Sequence, residues 1–517
     1  MKLSEVEPKN SKQKKQTKHE NINRNTVSTH GGTDTATASR SEDREGCCRV
    51  RHVVTATTMT RMVLPLVAML LLFAAFAQEQ APQPLLDSDI LSMVAQVDPN
   101  RVAANIQTLA NFGTRNTCSD NSGATPGIGA ARDWINGQFA ALPGLQVRLE
   151  PWTGCGSSGS PHTVHNVIAW IPGSGHPNRL IIIGGHYDSR TSGSATDGVN
   201  PAPGANDSGS QTALVLEAAR VMAGHTFDAT VVFAAWSGEE QARKGSQAFV
   251  KHYRDYFPNG TCELNLNSDI VGGDNTVNNA TTLQQFRLFS PGTPREVSPT
   301  AVGSTDDTSP SRGIMRHIGY WGGAYVPTMT MLPQLREDRP GRYSDQKSFI
   351  AKSIPAIRFL DVNENKKHQH SPNDLFVYVT PAFTARVTQV AVASAASLAR
   401  APTPPQKMVA TGMSSNTVKL TWSAPASGPS VDHYVISART AEENFYRTRF
   451  SAQGGLSSIT VDTVQDLGIP SGTPYYVSIA AVDASGHESL YAYSEYRCDS
   501  TNTCSQPSDA LNVTAWD

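Results

Sequence analysis

The chain has 517 residues, 38% of them apolar and 17% charged, an ordinary globular balance with material for two folded units and a tail. The formal net charge of −2 is unevenly spread: residues 1–61 hold 12 Lys/Arg against 7 Asp/Glu, which leaves −7 for the remainder. A mildly acidic body argues against nucleic acid as the main partner.

Residues 1–58 are polar, rich in Ser, Thr and Lys and poor in aromatics, a composition that reads as disorder. An apolar run from Val63 to Ala77 follows Arg61 and ends in Ala75-Phe76-Ala77. That is the pattern of a secretory signal over 59–77 with cleavage after Ala77. The run is short for a spanning helix, a membrane anchor being the competing reading. A signal here places the translation start at Met59 or Met62 and the first 58 residues outside the protein proper. The expectation is export, extracellular or periplasmic, with no stable membrane insertion once the signal is gone. Of the seven cysteines, Cys47 and Cys48 fall in the tail, and Cys498 and Cys504 lie close enough to close a small staple. Cys118 and Cys155 are the other plausible pair, leaving Cys262 free. None has zinc-finger spacing.

From 85 to 400 helical and strand patterns alternate. Leu85–Asn111, Gly127–Ala141, Ser208–Ala223 (capped by a Ser) and Ser246–Phe257 read as helices. Gln146–Pro151, His165–Ile171, Leu180–Ile183, Thr230–Trp236, Leu264–Val271 and Ala356–Leu360 read as strands. Ser290–Gly341 is rich in Pro, Gly and Ser and reads as irregular, bordering a cleft. Alternation of this kind predicts a three-layer α/β/α domain on a mixed, mostly parallel sheet.

The texture changes at Ala401-Pro402-Thr403-Pro404-Pro405. Short alternating segments follow (Val418–Trp422, His433–Ser437, Tyr475–Val482), punctuated by turn residues, which predicts a small all-β sandwich over 402–517. This segment resembles a fibronectin type III domain. Trp422 fits that family's core Trp, and Tyr475, with Ile479, Ala481, Val482 and Gly486, fits its tyrosine-corner strand. Such modules bind or space, so contact with a surface or polymer is the role expected of it.

Five fragments of the first domain place metal-competent side chains at strand ends or loops. They are His186-Tyr187-Asp188, Gly204-Ala205-Asn206-Asp207-Ser208-Gly209, Gly238-Glu239-Glu240, Asn267-Ser268-Asp269 and His370-Ser371-Pro372-Asn373-Asp374. Each is weak alone. Together they supply imidazoles and carboxylates with no thiolate, a donor set suited to zinc and also to cobalt or manganese.

Their order resembles that of the co-catalytic di-zinc aminopeptidases, which share a fold with glutaminyl cyclases. The resemblance extends to Leu109–Arg115 and Ser344–Phe349, although Gly209 comes one residue early. It implies two Zn2+ per chain: Asp207 bridging, His186 and Asp269 on one ion, Glu240 and His370 on the other. Glu239 becomes the general base, and Asp188 fixes the His186 imidazole from behind. His368 competes with His370, which is preferred because the family's histidine directly precedes a Ser/Thr-Pro-like step. Gln369 stands where some relatives carry an aromatic group, and Asp345 matches a family aspartate. The implied activity is a secreted aminopeptidase acting on peptide or protein N-termini. A one-zinc glutaminyl cyclase and a non-catalytic binding protein are the alternatives.

Overall fold

The computed structural model describes residues 85–155, 161–290, 309–338, 341–492 and 495–506. The polar tail 1–58, the signal-like segment 59–77 and residues 507–517 lie outside them.

Eight strands form one mixed sheet in the order β1-β2-β4-β3-β5-β8-β6-β7. They are β1 (Gln146–Cys155), β2 (Pro161–Ile171), β3 (His176–His186), β4 (Ala229–Trp236), β5 (Thr261–Ser268), β6 (Gln285–Phe289), β7 (Thr330–Gln334) and β8 (Ala356–Leu360). The inner four, β4, β3, β5 and β8, run parallel. Parallel strands are covered on both faces, and accordingly every residue of β4 and β8 is buried.

The side-chain alternation of β4 divides the core in two. Val231, Phe233 and Ala235 join the larger cluster with α2 (Pro99–Asn111), α3 (Ile128–Ala140), α4 (Gln211–Met222) and α8 (Pro381–Arg400). Val232, Ala234 and Trp236 point the other way, into a smaller cluster with Phe249 of α5 (Lys244–His252) and Phe349 of α7 (Gln346–Ile350). The expected three layers are present.

Three local expectations are corrected. Leu85–Asn111 is two helices, α1 (Ser88–Ala95) and α2, because Pro99 cannot continue a helix but can begin one; Asp98 caps the second by accepting from the Asn100 N–H at 2.8 Å. The stretch read as irregular contains α6 (Pro310–His317), a π turn (Ile318–Gly322) and β7, its apolar spacing obscured by four glycines. Strand β6 has no counterpart among the predicted strands, since five residues with Arg287 at the centre give little period-2 signal.

After α8 the chain forms two antiparallel sheets, β13-β10-β9 and β12-β11-β14-β15-β16. These strands are β9 (Gln406–Ser414), β10 (Thr417–Ser423), β11 (Val431–Thr440), β12 (Thr448–Gln453), β13 (Ser458–Asp462), β14 (Tyr475–Asp483), β15 (Tyr496–Cys498) and β16 (Cys504–Ser505). Trp422 packs edge-on against Tyr434 at 5.1 Å in the core. Tyr475 opens β14, and its hydroxyl donates to Asn502 Oδ1 at 2.7 Å. Cys498 and Cys504 form a disulfide, Cys118 is also disulfide-bonded, and Cys262 is free and buried.

The sandwich is docked against the α/β layers. Arg316 Nε donates to the Asn444 carbonyl at 3.1 Å, and its guanidinium approaches buried Glu495 at 3.5 Å. Arg449 lies 4.2 Å over the Tyr320 ring. Phe445 reaches a cavity of about 250 Å³ lined by Phe286, Ile318, Met329, Met331 and Val390. A Cβ on Gly319 would sit 2.4 Å from Phe445 Cε1, so this helix turn admits the ring only without a side chain. Gly319→Val is therefore expected to destabilise the protein by about 1–3 kcal/mol through overpacking. A melting curve lowered by several degrees checks this; an unchanged midpoint contradicts the close fit.

Candidate metal centre

Parallel strands bring their carboxyl ends to one edge of a sheet, where open α/β folds keep their ligand sites. Here β3 ends on His186, β4 leads through Ser237-Gly238 to Glu239 and Glu240, and β5 leads directly to Asp269. Asp207 comes from the connection between β3 and α4, and His370 from the loop after β8. That connection is not the simple helix start expected over Ser208–Ala223. Ala205–Ser210 is wound as a π turn kinked at Asp207 (φ −110°, ψ 85°). Ser208 caps nothing, its hydroxyl donating instead to the Asp188 carbonyl at 2.5 Å.

The side chains converge as two clusters sharing one member. His186 Nε2 lies 3.3 Å from Asp207 Oδ1 and 3.5 Å from Asp269 Oδ1. His370 Nε2 lies 3.1 Å from both Asp207 Oδ2 and Glu240 Oε1. Within each triad one potential ligand atom per residue lies within 4.8 Å of the others. Asp207 gives one oxygen to each.

The donor set fits a metal on a further count. Asp207 Oδ1 and Glu240 Oε1 are buried and accept no hydrogen bond of acceptable geometry, although an imidazole nitrogen is close to each. Groups that approach one another but aim past one another are disposed to share a third atom between them. Without a cation, protons must balance the charge. His370 is pushed up to about 10, burial being outweighed by Glu240 and Asp207. His186 rises well above the usual imidazole range, burial again losing to Asp188, Asp207 and Asp269. Asp207 is held well below the carboxylate range: burial would raise it, but both imidazoles oppose. Glu239 is pushed well up by burial and by Glu240, Asp345 and Asp269, against His186. A divalent ion would displace those imidazole protons.

The residues behind the clusters fix them in place. Asp188 does more than expected. Its carbonyl lies 3.1 Å from His186 Nδ1, which favours a proton there and leaves Nε2 free. Its carboxylate accepts from the Glu239 and Glu240 N–H groups, each at 3.1 Å, tying the glutamate turn to the histidine. Asp374 does the same for Asn206 and Asp207, accepting both N–H groups at 2.8 Å. His368 faces away, 2.6 Å from Asp274 Oδ2 and stacked on Tyr378, so His370 alone of the pair joins the cluster. Gln369 Nε2 donates to Asp207 Oδ2 at 2.8 Å. Asp345 is buried and accepts from the Ser246 hydroxyl at 2.5 Å, making it part of the wall.

Three arginines carry weight that sequence reasoning did not assign. Arg115, fully buried, donates to the carbonyls of Leu109, Tyr187, Pro203 and Gly204 and so knits together the loops bearing Asp188 and Asp207. Gly204 (φ +53°) lies under it; a Cβ there would come within 2.6 Å of the Asp207 carbonyl. Arg358 of β8, fully buried, sets Nε 3.2 Å from Asp269 Oδ2. Arg190 sets Nε 3.4 Å from Glu240 Oε2. Lone charged residues leave no periodic signal, and only the run Leu109–Arg115 pointed to any of them.

The model of peptidase family M28 matches residues 166–395, and that of the fibronectin type III domain matches 403–495. A protein of Pyricularia oryzae named probable zinc metalloprotease is 34% identical over 411 residues, 74% of this chain and 80% of that protein. One of the same name from Pyrenophora teres f. teres is 36% identical over 357 residues, 64% and 72% of the respective chains. Solved structures with a similar course include the Legionella pneumophila LapA aminopeptidase (17% identity, TM-score 0.47, 63% and 78% covered). Another is the Fimbriiglobus ruber glutaminyl cyclase (19%, 0.44, 61% and 98%).

Asp345 gives a pH test of this wall. Burial lifts its carboxyl from 3.8 to about 7, and its Oδ2 has no partner, as suits a protonated acid. The folded chain keeps this proton between those values while the unfolded chain loses it. Stability of the metal-free protein should therefore fall as pH rises from 4 to 7, by up to about 4 kcal/mol from this group. Asp345→Asn, which mimics the protonated form, should flatten that fall in urea titrations at pH 4.5 and 7.5. An equal slope in both proteins would contradict the assignment.

Proposed function

Because the chain belongs to peptidase family M28, we propose that it is an exported, zinc-dependent aminopeptidase that removes residues from the N-termini of peptides and proteins. The observation that carries this reading is the sharing of Asp207 between two triads, each with one imidazole. His186 and Asp269 would hold one zinc ion, Glu240 and His370 the other, and Asp207 both. Relatives named as probable zinc metalloproteases support the choice of metal. Bound there, zinc would supply Lewis acidity, acidifying water and polarising the scissile carbonyl.

Glu239 belongs to neither triad, yet it shares the turn that Asp188 holds beside them. Burial keeps its carboxylate more basic than an exposed glutamate, which suits a general base. Its carboxylate oxygen would take the proton of the attacking water and hand it to the departing amine. Asp188 would keep His186 in the tautomer that offers Nε2. The disulfides support export, since such bonds persist in oxidising compartments.

Aminoacyl anilides, N-blocked peptides and peptides with N-terminal Gln, assayed before and after chelation with zinc add-back, test the reaction. Release of single residues from free N-termini, lost on chelation and restored by zinc, is expected. Ammonia release without chain shortening would replace this reading with cyclisation. Glu239→Gln should lose about 10²–10⁴-fold in kcat while keeping its metal. Glu240→Ala and His370→Ala should each lose metal, and His368→Ala should keep it, as read by elemental analysis. Full activity in Glu239→Gln would remove it as the base.

A further inference from the structure

The two outer carboxylates of the centre each turn a second oxygen toward an arginine, and those arginines differ. Arg358, behind Asp269, is sealed in the sheet, its side chain 0% exposed. Arg190, behind Glu240, keeps 29% of its side-chain surface open to solvent. Its Nε is buried without a hydrogen bond of acceptable geometry, and Glu240 is the carboxylate it pairs with among the described residues. The backbone presenting it is fixed. The Ser189 hydroxyl donates to the Ala202 carbonyl at 2.7 Å and accepts from the Arg115 N–H at 3.0 Å. Gln241 Nε2 donates to the Ala195 carbonyl at 2.5 Å, tying the Arg190 loop to the glutamate turn.

The surroundings of the centre are cationic beyond this residue. Arg243 follows the same glutamate turn, its guanidinium over the Tyr343 ring and close enough to Asp345 to oppose the burial that raises its carboxyl. Arg342, close enough to Asp269 and Asp207 to feel their charge, shares the single carboxylate of Glu364 with Arg287. Glu240 already shares its charge with His370, 3.1 Å from Oε1, and would share it further with a cation. The guanidinium of Arg190, on a side chain partly open to solvent, then stands beside the site, and its fork of donors can take a carboxylate in a two-point grip.

We propose that Arg190 is a specificity-determining residue that binds a substrate carboxylate beside the scissile bond, so that the preferred substrates are acidic at that point. This rests on the aminopeptidase reading above. The carboxylate has two chemical sources, the side chain of an N-terminal Asp or Glu, or the C-terminal carboxylate of a dipeptide.

The test compares wild type, Arg190→Ala and Arg190→Lys on Glu-anilide against Leu-anilide, and on Leu-Gly against Leu-Gly-amide, with zinc content measured for each. Arg190→Ala should lower the preference for one acidic member over its neutral partner by about 10–100-fold, mainly through KM. Arg190→Lys should recover part of it. The pair that responds identifies the source. An equal loss on all four substrates, or a loss of zinc, overturns the proposal, because Arg190 would then be only a clamp on Glu240. Binding of the same four compounds to zinc-loaded Glu239→Gln, with and without Arg190→Ala, is measured by calorimetry and needs no turnover. Should the wild type cleave none of them while Arg190→Ala still selectively weakens acidic binding, the aminopeptidase reading falls and the subsite stands. Binding indifferent to the carboxylate removes the subsite.

Discussion

One carboxylate, Asp207, turns its two oxygens toward two different imidazoles, and the architecture around the centre serves to keep it there. The backbone that presents it leaves the helical path, kinked at Asp207 inside the π turn. Asn206 and Asp207 lie in the first turn of that connection, where N–H groups have no helical partner, and buried N–H groups must find one. The Asp374 carboxylate supplies both acceptors. The carbonyls of Pro203 and Gly204, just ahead of the turn, are gathered by Arg115. Irregular backbone at a ligand site is thus compensated bond by bond, with charged partners stronger than neutral ones.

The same site concentrates acidic groups that would repel one another in isolation. Asp188, Asp207, Asp269, Glu239 and Glu240 lie within one sheet edge. Their compensation is layered. Imidazoles stand innermost, backbone N–H groups hold Asp188, and arginines stand outside Asp269 and Glu240. A cation entering such a frame meets ligands already oriented by partners that do not depend on it.

Much of this could be read from the residues alone, for identifiable reasons. Buried parallel strands are continuous apolar runs, so their ends are legible, and the polar fragments that follow them are the site. That logic predicts the positions of His186, Asp269 and the glutamate pair. The choice of His370 over His368 comes only through the resemblance, because two positions apart in a loop gives no facing rule; in space His368 turns to Asp274 and Tyr378. The spacing of Ser, Leu, Val and Ala predicts a helix over Ser208–Ala223 and gives no sign of the kink at Asp207. Glycines at 313, 319, 322 and 323 hid α6 and its π turn, yet Gly319 is there to admit Phe445.

That last contact bears on how the chain comes to be folded at all. Arg316 lies in the first domain and finds its buried counter-charge, Glu495, near the end of the second. During synthesis the α/β layers emerge first. Until the sandwich follows, α6 lacks the ion pair that Arg316 makes with Glu495, and the turn beside it lacks the Phe445 ring. The last hundred or so residues therefore complete the first domain as well as forming their own, and a nascent chain halted at the Pro-rich linker would be held short of its final packing.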